Sequence, residues 1–378
     1  MANEKKTVRE PSFILALVPI VAMIGFMLYC FRGHSETGYH DAHLPLVMSI
    51  IVACIVGFIC GHSFQEMLAG MVERLAASME AVLILATVGF LVTSFMLSGA
   101  IPTMIVYGLD LLTPKLFLPV GCILCAIVGM ACGSSWTTTA TIGLAFLGIG
   151  AGLGIPAPIT AGMIISGAYV GDKFSPLSDT TNLAAAVAET GLFDHVTAMV
   201  STTGPTLLLS LILYTILGLN VDTSAYDATV AEGIQEAFRG AFTISPILLL
   251  PIIVVIVMCI LRVPGLVGIA VSVATAVVFM LIFQSTDIFY SYSLGDIFDV
   301  LHYGHAVETG NAVADSILGK AKGMDGMMWT INLILVALAY GGALERCGCI
   351  EKLFGGLKHK IHSVGSLILA TLVTSIFC

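Results

Sequence analysis

Charge is what this sequence has least of. Only 10% of its 378 residues are Asp, Glu, Lys or Arg, and residues 116–171 contain none of the four. A soluble globular domain carries about 25% charged residues, so a water-facing surface for a chain of this length cannot be built from so few. A soluble enzyme or binding module is thereby excluded. Basic charge is scarcer than acidic: 15 Lys and Arg stand against 24 Asp and Glu, for a net charge of −9. That is the wrong sign for a nucleic-acid binder. What remains is apolar, with 58% hydrophobic residues and a mean hydropathy of +1.02. The chain reads as an all-α polytopic membrane protein.

Other absences narrow the class further. Of the 10 cysteines, Cys54, Cys60, Cys122, Cys125, Cys132 and Cys259 lie inside apolar runs rather than loops. Such thiols act as small hydrophobes, and no secreted disulfide framework follows. Cys122 and Cys125 form a lone CxxC, short of the ligands that a zinc or redox site needs. Neither HExxH nor GxSxG occurs, so a hydrolase is disfavoured and no cofactor is implied. Lys5, Lys6 and Arg9 precede an apolar stretch, Ser12–Phe31, that is too long for a cleaved signal and lacks a small-residue cleavage site. It reads as an uncleaved first span.

A helix crossing the hydrocarbon core needs about 20 mainly apolar residues. Hydropathy places spans near 12–31, 44–61, 81–98, 116–132, 137–153, 156–188, 201–220, 243–262, 264–284, 326–344 and 362–378. The 156–188 stretch is too long for one plain crossing, and polar residues interrupt it. Segments 63–79 and 225–240 mix charge with apolar residues and are expected at the interface. The positive-inside rule puts the amino terminus in the cytoplasm. Counting crossings then leaves Arg74, Arg262 and the run Arg346, Lys352, Lys358, Lys360 inside as well, and the acidic 285–325 loop outside.

An internal repeat emerges at a shift of 249 positions, which lays 77–129 over 326–378. Ser98-Gly99-Ala100-Ile101 falls on Cys347-Gly348-Cys349-Ile350, each after an apolar span and before a short amphipathic stretch. The first linking stretch has one Lys and the second four Lys or Arg, so equivalent segments are expected on opposite sides of the membrane. Inverted repeats mark secondary carriers, with the substrate site at the repeat interface. The expected organisation is a single transporter domain over 1–378, with a first repeat over 10–200 and an incomplete second repeat over 243–378. Because Gly129 maps onto Cys378, roughly 70–90 residues of the second copy are expected beyond it.

Chemistry concentrates in two polar runs. The first is Gly133-Ser134-Ser135-Trp136-Thr137-Thr138-Thr139-Ala140-Thr141. The second is Gly171-Asp172-Lys173-Phe174-Ser175-Pro176-Leu177-Ser178-Asp179-Thr180-Thr181-Asn182. Pro176 cannot continue a helix and turns Ser175 away from helical angles, so a break is expected near 171–178. Irregular backbone at membrane depth persists only where it lines a cavity or is buried in protein. Freed carbonyls, the hydroxyls of Ser175, Ser178 and Thr180, and the two carboxylates would form a hard-oxygen site suited to a small cation. Ser134, Ser135, Thr137 and Thr138 could supply further ligands. A carboxylate at mid-membrane costs about 2.5–3.5 kcal/mol on insertion scales, which favours a functional role for Asp172 and Asp179. The competing readings are a surface cap for Asp172 and Lys173, and plain back-bonding to helix carbonyls for the 134–141 hydroxyls.

Over Gly171–Ala184, supported upstream by Gly133-Ser134-Ser135-Trp136-Thr137-Thr138, the sequence resembles the NhaC family of sodium/proton antiporters. The resemblance implies an inverted-repeat secondary transporter with broken or re-entrant helices, an elevator-like movement and, by analogy, a homodimer. It also implies a bacterial cytoplasmic membrane location, Na⁺ and H⁺ as the exchanged ions, and no cofactor. The family includes exchangers of malate with protons for lactate with sodium, so a Na⁺/H⁺-coupled organic-acid exchanger is the alternative. A buried carboxylate favours its protonated form because desolvation penalises charge. Competition of Na⁺ and H⁺ is therefore assigned first to Asp179 and second to Asp172, with Asn182, Ser178 and Thr180 completing the coordination.

Overall fold

The computed structural model describes residues 8–32, 41–175, 178, 180–181, 184–185, 190–220, 228–261, 263–284, 294–319, 321–358, 365, 368–369 and 371. Among these residues every regular element is helical. Five helices are long and apolar enough to cross a membrane, or up to seven if two bent pairs each count as one span. The fold is that of an all-α polytopic membrane transporter. The expected span near 362–378 lies almost wholly outside the described residues.

The chain divides into two compact units. The first comprises Met1–Leu83 with Met328–Cys378. Its helices are α1 (Phe13–Arg32), α2 (His43–Ile59) and α3 (Phe64–Ala77), followed much later by most of α16 (Asp325–Arg346) and by α17 (Cys349–Lys358). Helix α3 starts where the sequence says it should. Ser63 accepts the Glu66 N–H, and the Glu66 carboxylate accepts the Ser63 N–H at 2.8 Å, a reciprocal cap that satisfies two orphan donors. The core of this unit is built from Ala16, Leu46, Ala53, Val56, Met67, Tyr340 and Leu344, joined by Cys60, Cys347 and Cys349.

The second unit is Ile84–Met327. Most of α4 (Met79–Leu97) leads through Gly99 into α5 (Ala100–Leu111) and α6 (Pro114–Cys132). Next come α7 (Ser135–Thr138), a π-helical turn (Thr139–Gly143), α8 (Leu144–Gly152) and α9 (Ala157–Phe174). Then follow α10 (Leu192–Leu219), α11 (Ala228–Ala241), α12 (Leu250–Ile260), α13 (Gly265–Phe283), α14 (Leu294–Tyr303) and α15 (Ala312–Leu318). Helix α10 starts nine residues before the apolar run at 201 suggests (201 − 192 = 9). Its first turn carries Asp194, which suits the positive end of a helix dipole, so a polar start does not delay the helix. The expected interfacial segment 225–240 is α11; Thr229–Ala241 meets Pro246–Met258 at a 91° bend.

At the junction of α4 and α5 the chain reverses through Gly99, whose φ of +80° is left-handed. Buried Gln284 clamps this turn. Its side-chain N–H donates to Ser98 O at 2.8 Å, and its carbonyl accepts the Thr243 N–H at 3.1 Å. Helix α6 begins with Pro114 in its first turn, where a missing N–H costs nothing. It ends at Gly133, in the left-handed conformation with φ +63°.

Candidate functional site

The site grows from the closest helix pair of the second unit, α6 against α9. Gly167 and Gly171 are spaced as GxxxG on α9 and present no side chain to α6. A Cβ at Gly167 would strike the Cys122 carbonyl oxygen, and one at Gly171 the Ala126 carbonyl oxygen. From the other side, a Cβ at Gly129 would lie 2.7 Å from Ala168 O. Small residues bring the two backbones together, as in membrane helix packing generally. Asp172 follows Gly171 directly, so this approach fixes where its carboxylate sits.

Asp172 is 8% exposed. Its Oδ2 accepts a hydrogen bond from the Ser135 hydroxyl at 3.1 Å. Its Oδ1 is buried and has no hydrogen-bond partner among the described residues. An unpaired carboxylate oxygen in a buried setting is costly, and native structures rarely leave one without a role. The two polar runs, 37 residues apart, therefore meet at one carboxylate–hydroxyl contact.

The hydroxyl run around Ser135 is largely turned on itself. Ser134 caps α7, accepting from the Thr137 N–H at 3.3 Å and from the Thr137 hydroxyl at 3.1 Å. Thr138 donates to Ser134 O at 2.9 Å, Thr139 to Ser135 O at 2.8 Å and Thr141 to Thr137 O at 2.7 Å. These threonines bond back to carbonyls four residues earlier, the plainer of the two sequence readings. The helix opens into a π-turn at 139–143 where this back-bonding is densest. Such turns interrupt α-helices mostly at functional positions. Trp136 stands 54% exposed beside the run.

On the other side α9 stops at Phe174, and Ser175 takes extended angles (φ −83°, ψ 124°). The following Pro176 enforces that ending sterically, so the expected break falls within 171–178. Ser175 and Ser178 are buried, and the Ser178 N–H donates to Ser175 O at 3.3 Å. Thr180 is exposed, with its hydroxyl 2.9 Å from that of Ser178. Buried Thr181, which sequence reasoning passed over, donates to the carbonyls of Asp172 and Lys173, at 3.4 Å each. Its burial inside the already selected run was the only signal available for it. Lys173 is exposed, on a different side of the chain from the buried Asp172 carboxylate. Asp179 and Asn182 lie outside the described residues, as does Pro176. Of the expected ligands the structure joins Ser135 to Asp172, and keeps Ser134, Thr137 and Thr138 within the turn that carries Ser135.

Known proteins are similar to this chain in sequence. The model of the Na⁺/H⁺ antiporter family matches residues 167–378, which begins at the first glycine of the α9 packing motif. The Na(+)/H(+) antiporter NhaC of Alkalihalophilus pseudofirmus is 34% identical, covering 89% of this chain and 71% of that protein. The chain belongs to the Na⁺/H⁺ antiporter family. Two other relatives show how far substrates diverge around the common fold. The arginine/ornithine antiporter ArcD of Halobacterium salinarum is 35% identical over 97% of this chain and 74% of its own length. The malate-2H(+)/Na(+)-lactate antiporter of Bacillus subtilis is 31% identical over 98% of this chain and 77% of its own. No solved structure matches the chain. For this family member, among the described residues, no group of three or more His, Cys, Asp or Glu side chains is arranged to hold a resident metal.

Proposed function

We propose that this antiporter exchanges Na⁺ for H⁺ across a bacterial cytoplasmic membrane, with the two ions competing for the Asp172 carboxylate. The observation that carries the reading is the buried Asp172 Oδ1 without a partner. A proton or a sodium ion on that oxygen each neutralises the carboxylate and removes the cost of a bare buried charge. If only the neutralised site can pass between inward- and outward-facing states, one ion moves out for the other moving in. Ser135 supplies an oxygen beside the carboxylate, and Ser134, Thr137, Ser175 and Ser178 lie on the flanking turns. Oxygen donors of this kind suit a small hard cation. Asp179, Asn182 and Thr180 belong to the same sequence run and are proposed to close the coordination shell from the far side of the break.

The repeat is part of the same proposal. Gly99 and Gly348, equivalent under the 249-residue shift, both adopt left-handed angles, φ +80° and +73°. Each separates a long apolar helix from a shorter one. This likeness supports the internal repeat; the inversion of the two copies and a cytoplasmic amino terminus are proposed from the distribution of Lys and Arg.

Organic-acid exchange is the second reading, favoured by the malate/lactate relative and by the exposed Lys173 cation at the end of α9. Proton movement in everted vesicles of an antiporter-deficient bacterium carrying the full-length gene separates the two. Collapse of the acid-inside gradient by NaCl alone supports cation/proton antiport. Silence with NaCl but a response to sodium malate or lactate transfers the function to organic-acid exchange.

A further inference from the structure

In the first unit, the turn between α16 and α17 is Cys347-Gly348-Cys349. Cys347 closes the last turn of α16, its N–H donating to Ala343 O at 3.1 Å, and the Gly348 N–H donates to Glu345 O at 3.0 Å. Left-handed Gly348 reverses the chain, and Cys349 opens α17. The reversal lays the two thiols against each other, Sγ to Sγ at 3.0 Å. Both are buried, at 1% and 0% exposure.

The turn itself does not require cysteine. The same left-handed reversal at Gly99 is flanked by Ser98 and Ala100. Glycine is the conformational requirement, and the paired thiols are an addition to it. Their core cluster also holds an unmet polar group. The Tyr340 hydroxyl, in the same core cluster, is buried without a hydrogen-bond partner among the described residues.

We propose that Cys347 and Cys349 form a peroxide-oxidisable dithiol that closes to an intramolecular disulfide across Gly348. The Cys349 side chain beside it draws the Cys347 thiol down to about 7, and the thiolate is the reactive form. The Cys347 sulfur attacks one oxygen of hydrogen peroxide, the O–O bond breaks, and the leaving hydroxide takes a proton to become water. Cys347 is then a sulfenic acid. The Cys349 sulfur attacks Cys347 Sγ, the S–O bond breaks, and a second water leaves. Two thiol hydrogens are lost, one S–S bond forms and one peroxide is reduced to two waters. The disulfide ties the last turn of α16 to the first residue of α17 and stiffens the left-handed turn. The proposed orientation puts this turn in the cytoplasm, where thiols are ordinarily reduced; because both sulfurs are buried, peroxide and then a thioredoxin-type dithiol reach them as the turn opens.

The sequence makes the test direct. Cleavage after Arg346 and Lys352 isolates Cys347–Lys352, which contains both cysteines and no other. Membranes carrying the full-length protein are treated with hydrogen peroxide, denatured in excess N-ethylmaleimide, digested with trypsin and analysed by mass. Without peroxide, the peptide carries two maleimides. After peroxide, the expected peptide carries none and has lost two hydrogens, and dithiothreitol restores double labelling. In Cys349→Ser the sulfenic acid has no partner, so Cys347 instead becomes reactive to dimedone. Double maleimide labelling after peroxide, or a cross-link from Cys347 to the Cys60 peptide in place of Cys349, overturns the assignment.

Discussion

At the residue scale, the proposed exchange rests on one contact, Ser135 to Asp172. A hydrogen bond to a charged group is worth about 1.5–3 kcal/mol. Ser135→Ala is therefore expected to weaken apparent Na⁺ affinity about ten-fold or more, measured as the NaCl concentration for half-maximal proton movement. An unchanged half-maximal concentration would remove Ser135 from the site. A second residue-scale group belongs to the first unit. Asp41 accepts from the His43 imidazole, from the His43 N–H at 3.1 Å and from the Trp329 indole N–H at 3.2 Å. Chiefly the His43 side chain, with smaller help from its backbone N–H and from Trp329, holds the Asp41 carboxyl below its ordinary value, against the raising effect of burial. A depressed folded pKa contributes stability above the unfolded value, and that stability is lost as pH falls through the folded one. Trp329→Phe should move the acid limb of the thermal-stability profile to higher pH, and an unmoved limb would show that Trp329 does not stabilise the carboxylate. The sequence singled out Asp179 first and Asp172 second because carboxylates inside an apolar stretch are conspicuous; Asp179 lies outside the described residues, and Asp172 is the one whose surroundings the structure describes. It could not show that Ser135, rather than Ser134 or Thr138, turns toward Asp172, because that depends on the phase of a short helix after a left-handed glycine.

At the element scale, legibility followed hydropathy and proline. The spans at 12–31, 116–132 and 264–284 correspond closely to α1, α6 and α13. The break after α9 was readable because Pro176 acts locally on Ser175. The π-turn at 139–143 was not, since it arises from the collective back-bonding of threonines and from packing rather than from any one residue. The GxxxG on α9 was also passed over, although its consequence is large. In Gly171→Ala the new Cβ meets the backbone of α6, which cannot step aside as a side chain tip can. Overpacking of this kind costs about 1–3 kcal/mol, so the full-length protein in detergent should unfold at a measurably lower temperature, and transport should fall with it. Unaltered stability would mean that α6 and α9 do not pack this closely. Gly99→Ala is expected to destabilise too, by about 1–2 kcal/mol for a left-handed non-glycine residue, with added crowding of the Gln284 amide. A thermal midpoint equal to that of the unaltered protein would contradict the left-handed turn.

At the scale of the whole molecule, the family follows from similarity over 89–98% of this chain, whereas the proposed ion rests on the candidate site. Relatives named for sodium, for arginine and ornithine, and for malate and lactate surround this chain at 31–35% identity, so overall likeness alone does not choose among them. Among the described residues, the buried Asp172 carboxylate with one oxygen unpaired and the Ser135 hydroxyl beside it favours the proposal of a small cation over an organic anion. Asp172→Asn keeps the shape and burial of the side chain while removing the charge for which Na⁺ and H⁺ compete. The decisive measurement is NaCl-driven proton movement in everted vesicles carrying the Asp172→Asn full-length protein, at an expression level matched to the unaltered one. Exchange should vanish while the protein still inserts into the membrane; full sodium-dependent proton movement by this variant would contradict the account.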